Sequence, residues 1–267
     1  MIKAIVAGAA GRMGGRIIHM LEGAQDITLA AAFEQAGHPA VGQDVGEVVG
    51  LPKKNMAVAG DLAAVLDRGE VLIDFTNPEA TLNNLRQAAA AGKAVVIGTT
   101  GLSAAQQAEV KALAAQTRVV LAPNMSVGVN LMFKVVADIA RVLSAGYDVE
   151  IVEAHHRLKK DAPSGTAVKL AQVIAQALQR NLDEVAVYER KGLIGQRTDA
   201  EIGIQTVRAG DIVGEHTVIF GGIGERLEII HRAHNRDNFA RGAVRAARWI
   251  VAQPPGLYDM QDVLGLK

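Results

Sequence analysis

Short β-branched runs alternate with longer, alanine-rich segments of helical spacing over the first half of this 267-residue chain. This alternation is typical of successive βαβ units, in which the strands form a parallel sheet. The predicted strands are residues 2–7, 27–33, 57–59, 71–75, 94–97 and 118–122, and the predicted helices are residues 13–21, 62–66, 79–91 and 104–116. The sequence therefore predicts a doubly wound α/β fold whose functional loops lie at the carboxyl ends of the strands.

The second half of the chain has a different pattern. A long apolar helix is predicted at residues 129–143, followed by a strand at 149–154 and a helix at 167–178. Three β-rich runs separated by glycine-rich turns follow at residues 202–207, 216–220 and 226–231. This order predicts a second, α+β domain built on a mixed or antiparallel sheet. A long exposed loop is expected at 188–200, and an amphipathic helix at 239–251 that the pattern assigns to neither domain.

Composition excludes several classes of function. The chain carries 28 Lys and Arg against 28 Asp and Glu, so no global charge attracts nucleic acid or an anionic membrane surface. Aromatic residues make up only 3% of the chain, which disfavours base-stacking platforms. No run approaches the ~20 apolar residues of a spanning helix. Cysteine is absent, which excludes disulfides and thiolate metal sites and fits a reducing compartment. Together, these features lead us to expect a soluble, cytoplasmic protein with no metal site and no nucleic-acid or membrane partner.

A glycine-rich turn follows the first predicted strand and opens the first predicted helix. It comprises Gly8, Ala9, Ala10, Gly11, Arg12, Met13 and Gly14. The backbone N–H groups and the positive dipole end at such a turn can receive a pyrophosphate. Glu34 directly follows the second strand, where a carboxylate accepts hydrogen bonds from an adenosine ribose. A turn without a ligand needs glycine too, but strand, turn, helix and acid together favour a Rossmann-type dinucleotide-binding domain.

Three further turns lie at the carboxyl ends of predicted strands. They are residues 75–78, 98–101 and 122–125, and most of their side chains are small or carry a hydroxyl group. Such residues allow the close approach of a dinucleotide, and residues 122–125 are placed to line its nicotinamide end. Each turn taken separately is equally compatible with ordinary turn chemistry.

The densest group of reactive side chains lies between residues 153 and 167. The cationic or protonatable residues that precede its Pro-Ser-Gly-Thr turn are His155, His156, Arg157, Lys159 and Lys160. Because that turn starts a helix, the cations and the helix N-terminus can converge on one anion, and a dicarboxylate suits them. Histidine and lysine also make general acid chemistry available. A solvated surface turn is the alternative, and it is the better interpretation for Arg157 and Lys160 alone.

The remaining histidines lack a comparable neighbourhood. We expect structural or surface roles for His19, His38, His216, His231 and His234. Residues 208–216 link two predicted strands, and the pattern leaves open whether this link faces the site or a partner subunit.

In order and over the whole chain, these motifs resemble those of the dihydrodipicolinate reductases, also called 4-hydroxy-tetrahydrodipicolinate reductases. The matching segments are residues 8–14, 74–76, 98–101, 124–130, 153–166 and 208–216. The most specific of them contains Glu-Ala-His-His, then Lys159, then Asp-Ala-Pro-Ser-Gly-Thr.

The resemblance implies NAD(P)H-dependent reduction of 4-hydroxy-tetrahydrodipicolinate to tetrahydrodipicolinate with loss of water, in lysine and diaminopimelate biosynthesis. It implies an acid/base role for His155 and proton donation by Lys159. The implied binding residues for the substrate carboxylates are His156, Gly165 and Thr166. The implied cofactor-binding residues are Gly8, Ala9, Ala10, Gly11, Arg12, Met13, Glu34, Gly98, Thr99, Thr100, Ala122, Pro123, Asn124 and Met125.

The resemblance also implies a homotetramer and a division of the chain. Residues 1–127 plus 238–267 would form the cofactor domain, and residues 128–237 the domain for substrate binding and oligomerisation. The chain departs from the family pattern at Gln35, where many members have an arginine for the 2′-phosphate of NADPH. A neutral amide lacks that charge, so we predict NADH as the preferred cofactor, with NADPH still usable. Met125 stands where other members have Phe, and we expect only a mild effect on nicotinamide packing.

Two other functions stay open on the sequence alone. A Rossmann-fold dehydrogenase of another small acid would share the first domain, but residues 155–166 argue against it. A non-catalytic NADH sensor would use the same glycine turn, and the neutral net charge argues against a DNA-contacting module. Such a sensor would bind NADH but oxidise none when substrate is added.

Overall fold

The computed structural model describes residues Met1–Lys267, and the chain divides into two compact units. Unit 1 comprises Met1–Val127 and Arg236–Lys267, and unit 2 comprises Gly128–Asn235. The chain therefore leaves unit 1 and returns to it at residue 236, slightly before the predicted residue 238. None of the helices combines the length and the apolar character needed to span a bilayer.

Unit 1 is built on a six-stranded sheet in which every pairing is parallel. Its strands are β1 (Ile2–Ala7), β2 (Ile27–Phe33), β3 (Val71–Asp74), β4 (Ala94–Ile97), β5 (Arg118–Leu121) and β11 (Gly256–Tyr258), in the order β11-β5-β4-β3-β1-β2. Its helices are α1 (Arg12–Glu22), α2 (Val45–Val48), α3 (Pro78–Ala90), α4 (Ala104–Leu113), α8 (Asp237–Ile250) and α9 (Met260–Leu264). The helix left unassigned by the sequence pattern, α8, thus belongs to unit 1.

Helices cover both faces of this sheet. Successive residues of a strand point to opposite sides, so each central strand contributes to two cores. On one face, buried strand residues such as Val6 and Ile73 share a core with Ile17 of α1 and Ala243 of α8. On the other face, their chain neighbours share a second core with α3 and α4; its members include Ile5, Leu72, Leu85 and Val110. The predicted doubly wound parallel sheet is confirmed.

Two predicted elements of unit 1 are wrong. Residues 57–59 form no strand, because Ala59 bridges Phe33 and Ala57 bridges Asp44 as isolated pairs. Residues 62–66 form no α-helix, and the 3₁₀ turn Leu66–Arg68 overlaps only the last of them. This segment lies between Gly60 and Gly69 and is too short to offset the cost of helix nucleation. The prediction also missed α2, α9 and β11, whose 4, 5 and 3 residues are too few for a periodic pattern.

Unit 2 is built on a five-stranded mixed sheet, which confirms the predicted α+β architecture. Its strands are β6 (Asp148–His155), β7 (Ala186–Val187), β8 (Ile202–Arg208), β9 (Gly214–Gly221) and β10 (Arg226–Ala233), and its helices are α5 (Val127–Val142), α6 (Gly165–Ala177) and α7 (Leu182–Val185). The strand order is β10-β9-β6-β8-β7, with β6 parallel to β8 and antiparallel to β9. One core joins the sheet to α5 and α6, and its members include Phe133, Ile151, Leu170 and Phe220.

The loop predicted at residues 188–200 has no regular structure, as expected, but two of its arginines are bound rather than solvated. Arg190 donates two hydrogen bonds to the carboxylate of Glu150 on β6, at 2.9 and 2.8 Å. Arg197 donates to Asp148 at 2.8 Å. A Cβ on Gly203 of β8 would overlap the Glu150 carboxylate, so glycine makes room for this clamp.

Candidate active site

The glycine turn of unit 1 is held in a tight form that opens α1. Gly8 has a φ of 66°, in the left-handed region that favours glycine. Gly11 donates its N–H to the carbonyl of Gly8 at 2.9 Å, and a Cβ on Gly14 would overlap that same carbonyl oxygen. Gly11 is the N-cap of α1, and no side chain caps the helix. The N-terminus of α1 is thus presented to a ligand, as pyrophosphate binding requires.

Glu34 lies at the end of β2 and contacts the glycine turn. Its carboxylate accepts the N–H of Ala10 at 3.0 Å and the N–H of Gln35 at 3.3 Å. A cleft of about 310 Å³ runs from Gly8 and Glu34 to α3, and it is also lined by Gln35 and Asp61 but by no lysine or arginine. An uncapped helix N-terminus, a carboxylate and an adjoining cleft fit the pyrophosphate, ribose and adenine of a dinucleotide.

A buried carboxylate ties together the turns that follow β3 and β4. Asp74 is fully buried and accepts the N–H and hydroxyl of Thr76 at 2.9 and 2.6 Å. It also accepts the hydroxyl of Thr81 at 3.0 Å and the amide of Asn84 at 2.8 Å. The Thr81 hydroxyl lies 2.7 Å from that of Thr99. The Thr99 side chain therefore helps to hold its turn, whereas Thr100 is exposed.

The predicted cofactor-binding residues differ in what they present to solvent. The exposed ones are Ala10, Gly11, Arg12, Thr100 and Pro123. Ala9, Ala122 and Met125 are buried, and Met125 is only 1% exposed. Its side chain packs in the core shared with α8, so a ligand could reach its backbone only. The buried side chain is compatible with the mild effect expected of Met125 on nicotinamide packing, which stays a prediction.

The reactive cluster of unit 2 centres on Glu153, which is fully buried at the end of β6. Arg208 donates two hydrogen bonds to its carboxylate, each of 2.8 Å. His155 bonds to it through Nδ1 at 2.6 Å, and the backbone N–H of Ser164 donates to it at 2.9 Å. Burial alone would raise the pKa of Glu153, but these partners outweigh burial and hold the pKa well below its usual range. Glu153 is therefore a carboxylate at neutral pH.

His216 belongs to the same cluster, so the expectation that it lacks a comparable neighbourhood is wrong. It is 3% exposed, its Nε2 lies 3.1 Å from the Ser164 hydroxyl, and its ring meets that of His155 edge-on at 5.2 Å. Burial, followed by the charge that His155 can carry, lowers the pKa of His216 to about 3, against an opposing effect of Glu153. His216 is therefore neutral and adds no second positive charge beside His155.

The other predicted catalytic and substrate residues lie in the first turn of α6 or in the segment just before it. The Ser164 side chain caps this helix by accepting the N–H of Ala167, and Gly165 is exposed in the first turn. Lys159 forms an ion pair of 2.9 Å with Asp161. Burial opposes the effect of Lys159, which nonetheless lowers the pKa of Asp161. His156 and Thr166 are partly buried in the same segment, whereas Arg157 and Lys160 are exposed, as expected for solvated side chains.

Sheet register explains why the sequence analysis gave no role to Arg208 and missed His216. In the β6–β8 pair, His155 lies opposite Arg208, and in the β6–β9 pair, Glu153 lies opposite His216. These partners are distant in sequence, so only strand pairing brings them together. Glu153 and His155 are two residues apart on one strand, and that spacing alone places them on one face.

The fold and the glycine turn define a class: a Rossmann-type, dinucleotide-dependent enzyme with a second unit built on a mixed sheet. Residues 2–125 match the family described as dihydrodipicolinate reductase, N-terminus, and residues 128–264 match dihydrodipicolinate reductase, C-terminus. The chain belongs to the dihydrodipicolinate reductase family, whose members are NAD(P)H-dependent oxidoreductases.

Individual relatives agree with this assignment over their full length. The 4-hydroxy-tetrahydrodipicolinate reductase of Syntrophobacter fumaroxidans is 59% identical over 267 residues, which cover 100% of both chains. That of Syntrophus aciditrophicus is 58% identical with the same coverage. A solved structure of dipicolinate-bound dihydrodipicolinate reductase from a Paenisporosarcina species has a TM-score of 0.77 and 27% identity, covering 98% of each chain.

Proposed function

We infer that the chain catalyses the reaction named by its relatives. That reaction is the reduction of 4-hydroxy-tetrahydrodipicolinate to tetrahydrodipicolinate, with loss of water, in lysine and diaminopimelate biosynthesis. The observation that carries this inference is the cluster of unit 2, in which a histidine, a lysine and a helix N-terminus lie together.

The substrate is a dicarboxylate, and α6 supplies its anion-binding groups. The Ser164 cap leaves the very start of the helix to Gly165 and Thr166, where the dipole and the backbone N–H groups favour a negative charge. Lys159 and His156 precede this turn in the sequence and are further groups that can bind a carboxylate. We assign His156, Gly165 and Thr166 to substrate binding.

The reaction adds one hydride and one proton to the substrate and releases its hydroxyl group as water. A reduced nicotinamide cofactor held by the glycine turn and Glu34 would supply the hydride. We assign acid/base chemistry to His155 and proton donation to Lys159, which Asp161 holds in an ion pair of 2.9 Å. The helix N-terminus and Lys159 stabilise negative charge on the substrate in a partly desolvated setting.

NADH is the proposed preferred cofactor, with NADPH as a second substrate. The cleft beside Glu34 contains two acids and the neutral Gln35, and no lysine or arginine. A 2′-phosphate there would meet negative charge with no cation to neutralise it. The residues assigned to the cofactor are those of the glycine turn, Glu34 and the turns at 98–100 and 122–125.

We further propose that unit 1 is the cofactor domain and unit 2 the substrate and oligomerisation domain of a cytoplasmic homotetramer. The two-unit division and the absence of cysteine support these assignments. Light scattering of the purified chain tests the tetramer: a mass of one or two subunits at micromolar concentration contradicts it.

The reaction is tested by following NADH oxidation at 340 nm with substrate generated from pyruvate and aspartate semialdehyde. We expect rapid, substrate-dependent oxidation, faster with NADH than with an equal concentration of NADPH. NADH binding without oxidation would favour the sensor function, and oxidation only with another small acid would favour a different dehydrogenase. A higher rate with NADPH would overturn the proposed preference.

A further inference from the structure

We propose that Glu153 is a positioning residue that fixes the tautomer of His155, and that Gly214 keeps Nε2 of this histidine open as the atom that exchanges the proton. This assignment rests on the proposed function, because it names how the proposed acid/base residue is held. Neither Glu153 nor Gly214 is among the site residues that the family resemblance implies. It rests on contacts within unit 2 alone.

Glu153 determines which nitrogen of His155 carries the proton. The His155 Nδ1 lies 2.6 Å from Oε2 of Glu153, a carboxylate that can only accept at neutral pH. The proton in this contact is therefore on Nδ1. In neutral His155 this leaves a lone pair on Nε2. Nε2 is then the nitrogen that takes up a proton and gives it to the substrate.

Arg208 and the backbone prevent the carboxylate from turning away. Arg208 contacts both oxygens of Glu153 at 2.8 Å, and the N–H of Ser164 contacts Oε1 at 2.9 Å. Arg208 also donates to the carbonyl oxygen of Asp161 at 2.7 Å. Because Glu153 is completely buried, its orientation is set by these donors and not by solvent. In other enzymes, a buried carboxylate bonded to Nδ1 orients a catalytic imidazole in the same way.

Nε2 is left free by the absence of a side chain at position 214. The His155 side chain is only 12% exposed, yet its Nε2 has no hydrogen-bond partner within the chain and remains accessible to solvent. A Cβ on Gly214 would lie 3.0 Å from Nε2. The φ of Gly214 is not in the left-handed region, so space beside the imidazole, and not backbone strain, accounts for glycine here.

The first test is a double-mutant cycle on kcat. In the full-length enzyme, Glu153→Gln should lower kcat about 100-fold, the lower end of a typical acid/base contribution, with KM changed less than about threefold. In a His155→Gln background, the same change should cost less than about threefold, because no imidazole remains to be positioned. A merely structural role predicts equal losses in both backgrounds, which would overturn the proposal, as would an unchanged kcat in the single variant.

Glu150→Gln is the matched control for Glu153→Gln. Glu150 lies on the same strand and also binds an arginine through two hydrogen bonds, but it has no contact with His155. Because the Glu150 side chain is 24% exposed, we expect no greater thermal destabilisation than for Glu153→Gln and a kcat within about threefold of wild type. A 100-fold loss in this control would show that damage to β6 explains both results and would refute the positioning role.

Gly214→Ala and Gly221→Ala test the open side of the imidazole. They lie at the two ends of β9, and a Cβ on Gly221 meets nothing within 4 Å. We expect about a tenfold lower kcat for Gly214→Ala and less than a twofold change for Gly221→Ala, since misplacing a reacting group by a fraction of an ångström is costly. Equal activity of the two variants would remove Gly214 from the proposal.

A spectroscopic measurement keeps the proposal testable if Glu153→Gln fails to fold or if the wild type shows no reductase activity. The ¹⁵N chemical shifts of the histidine rings in the wild-type chain distinguish the two tautomers without any substrate. We expect a protonated Nδ1 and an unprotonated Nε2 for neutral His155. A neutral ring that carries its proton on Nε2 instead of Nδ1 would overturn the proposal whatever reaction the enzyme catalyses.

Discussion

Asp74→Ala removes the acceptor of four hydrogen bonds from the interior of unit 1. The donors are two groups of Thr76, the Thr81 hydroxyl and the Asn84 amide, at distances between 2.6 and 3.0 Å. Thr81 and Asn84 are 1% and 6% exposed, so water cannot readily replace the lost partner. The variant therefore leaves two buried donors, and the two donors of half-buried Thr76, without their acceptor at the point where the turns after β3 and β4 are joined.

The expected loss follows from the number of bonds. At about 1 kcal/mol for each lost hydrogen bond, the four bonds predict a loss of roughly 4 kcal/mol in the free energy of unfolding of unit 1. Asp74→Asn keeps one oxygen and the shape of the side chain. An amide in place of the second oxygen would face Asn84, which can rotate its own amide to accept. We therefore expect a smaller loss of about 1–2 kcal/mol.

The chain contains one tryptophan, which makes this prediction directly measurable. Trp249 lies on α8 in unit 1 and packs against Tyr258 with ring centroids 5.1 Å apart, so its fluorescence during urea unfolding reports on this unit. Asp67→Ala, in the exposed 3₁₀ turn, is the control and should change stability by less than about 0.5 kcal/mol. A loss below about 1 kcal/mol for Asp74→Ala would refute the bond-by-bond reasoning.

Three further predictions concern the glycine turn, the choice of cofactor and the pH dependence of stability. Gly14→Ala should weaken NADH binding by about 10–100-fold, because the added Cβ overlaps the Gly8 carbonyl. Gly15→Ala is the control and should bind NADH normally, because a Cβ there lies 3.7 Å from its nearest neighbour. Titration calorimetry with NADH compares the two variants. Gln35→Arg should tighten NADPH binding by about 10–100-fold through a charge-assisted contact and leave NADH binding nearly unchanged, and equal affinities before and after the change would contradict it. The pKa of His216 is lowered in the folded chain, so between pH 6.5 and about 3 only the unfolded chain binds a proton at this residue. The free energy of unfolding should therefore fall by about 1.4 kcal/mol for each pH unit of acidification in this range. The slope should be shallower in His216→Gln, and parallel calorimetric pH profiles of the two proteins would show that His216 is not the cause.

The sequence was most informative where a feature is local. The glycine spacing and the following acid at position 34 predicted the turn, and the structure adds the contact between Glu34 and the N–H of Ala10. The Ser164 turn at the start of α6 is likewise a local motif, although the helix begins two residues before the predicted residue 167. Short elements such as β11 were missed because three residues carry too little periodicity.

By itself, the sequence determined the alternating strand and helix pattern, the change of architecture near residue 128 and the reactive character of residues 155–166. These depend on periodicity and on chemistry within a short window, which a linear chain displays directly. Tertiary structure alone decided that Arg208 and His216 join Glu153, that Asp74 links the turns after β3 and β4, and that Met125 is buried in the core. The physical reason is strand register: partners more than 50 positions apart, such as Glu153 and His216, become neighbours only when the sheet forms.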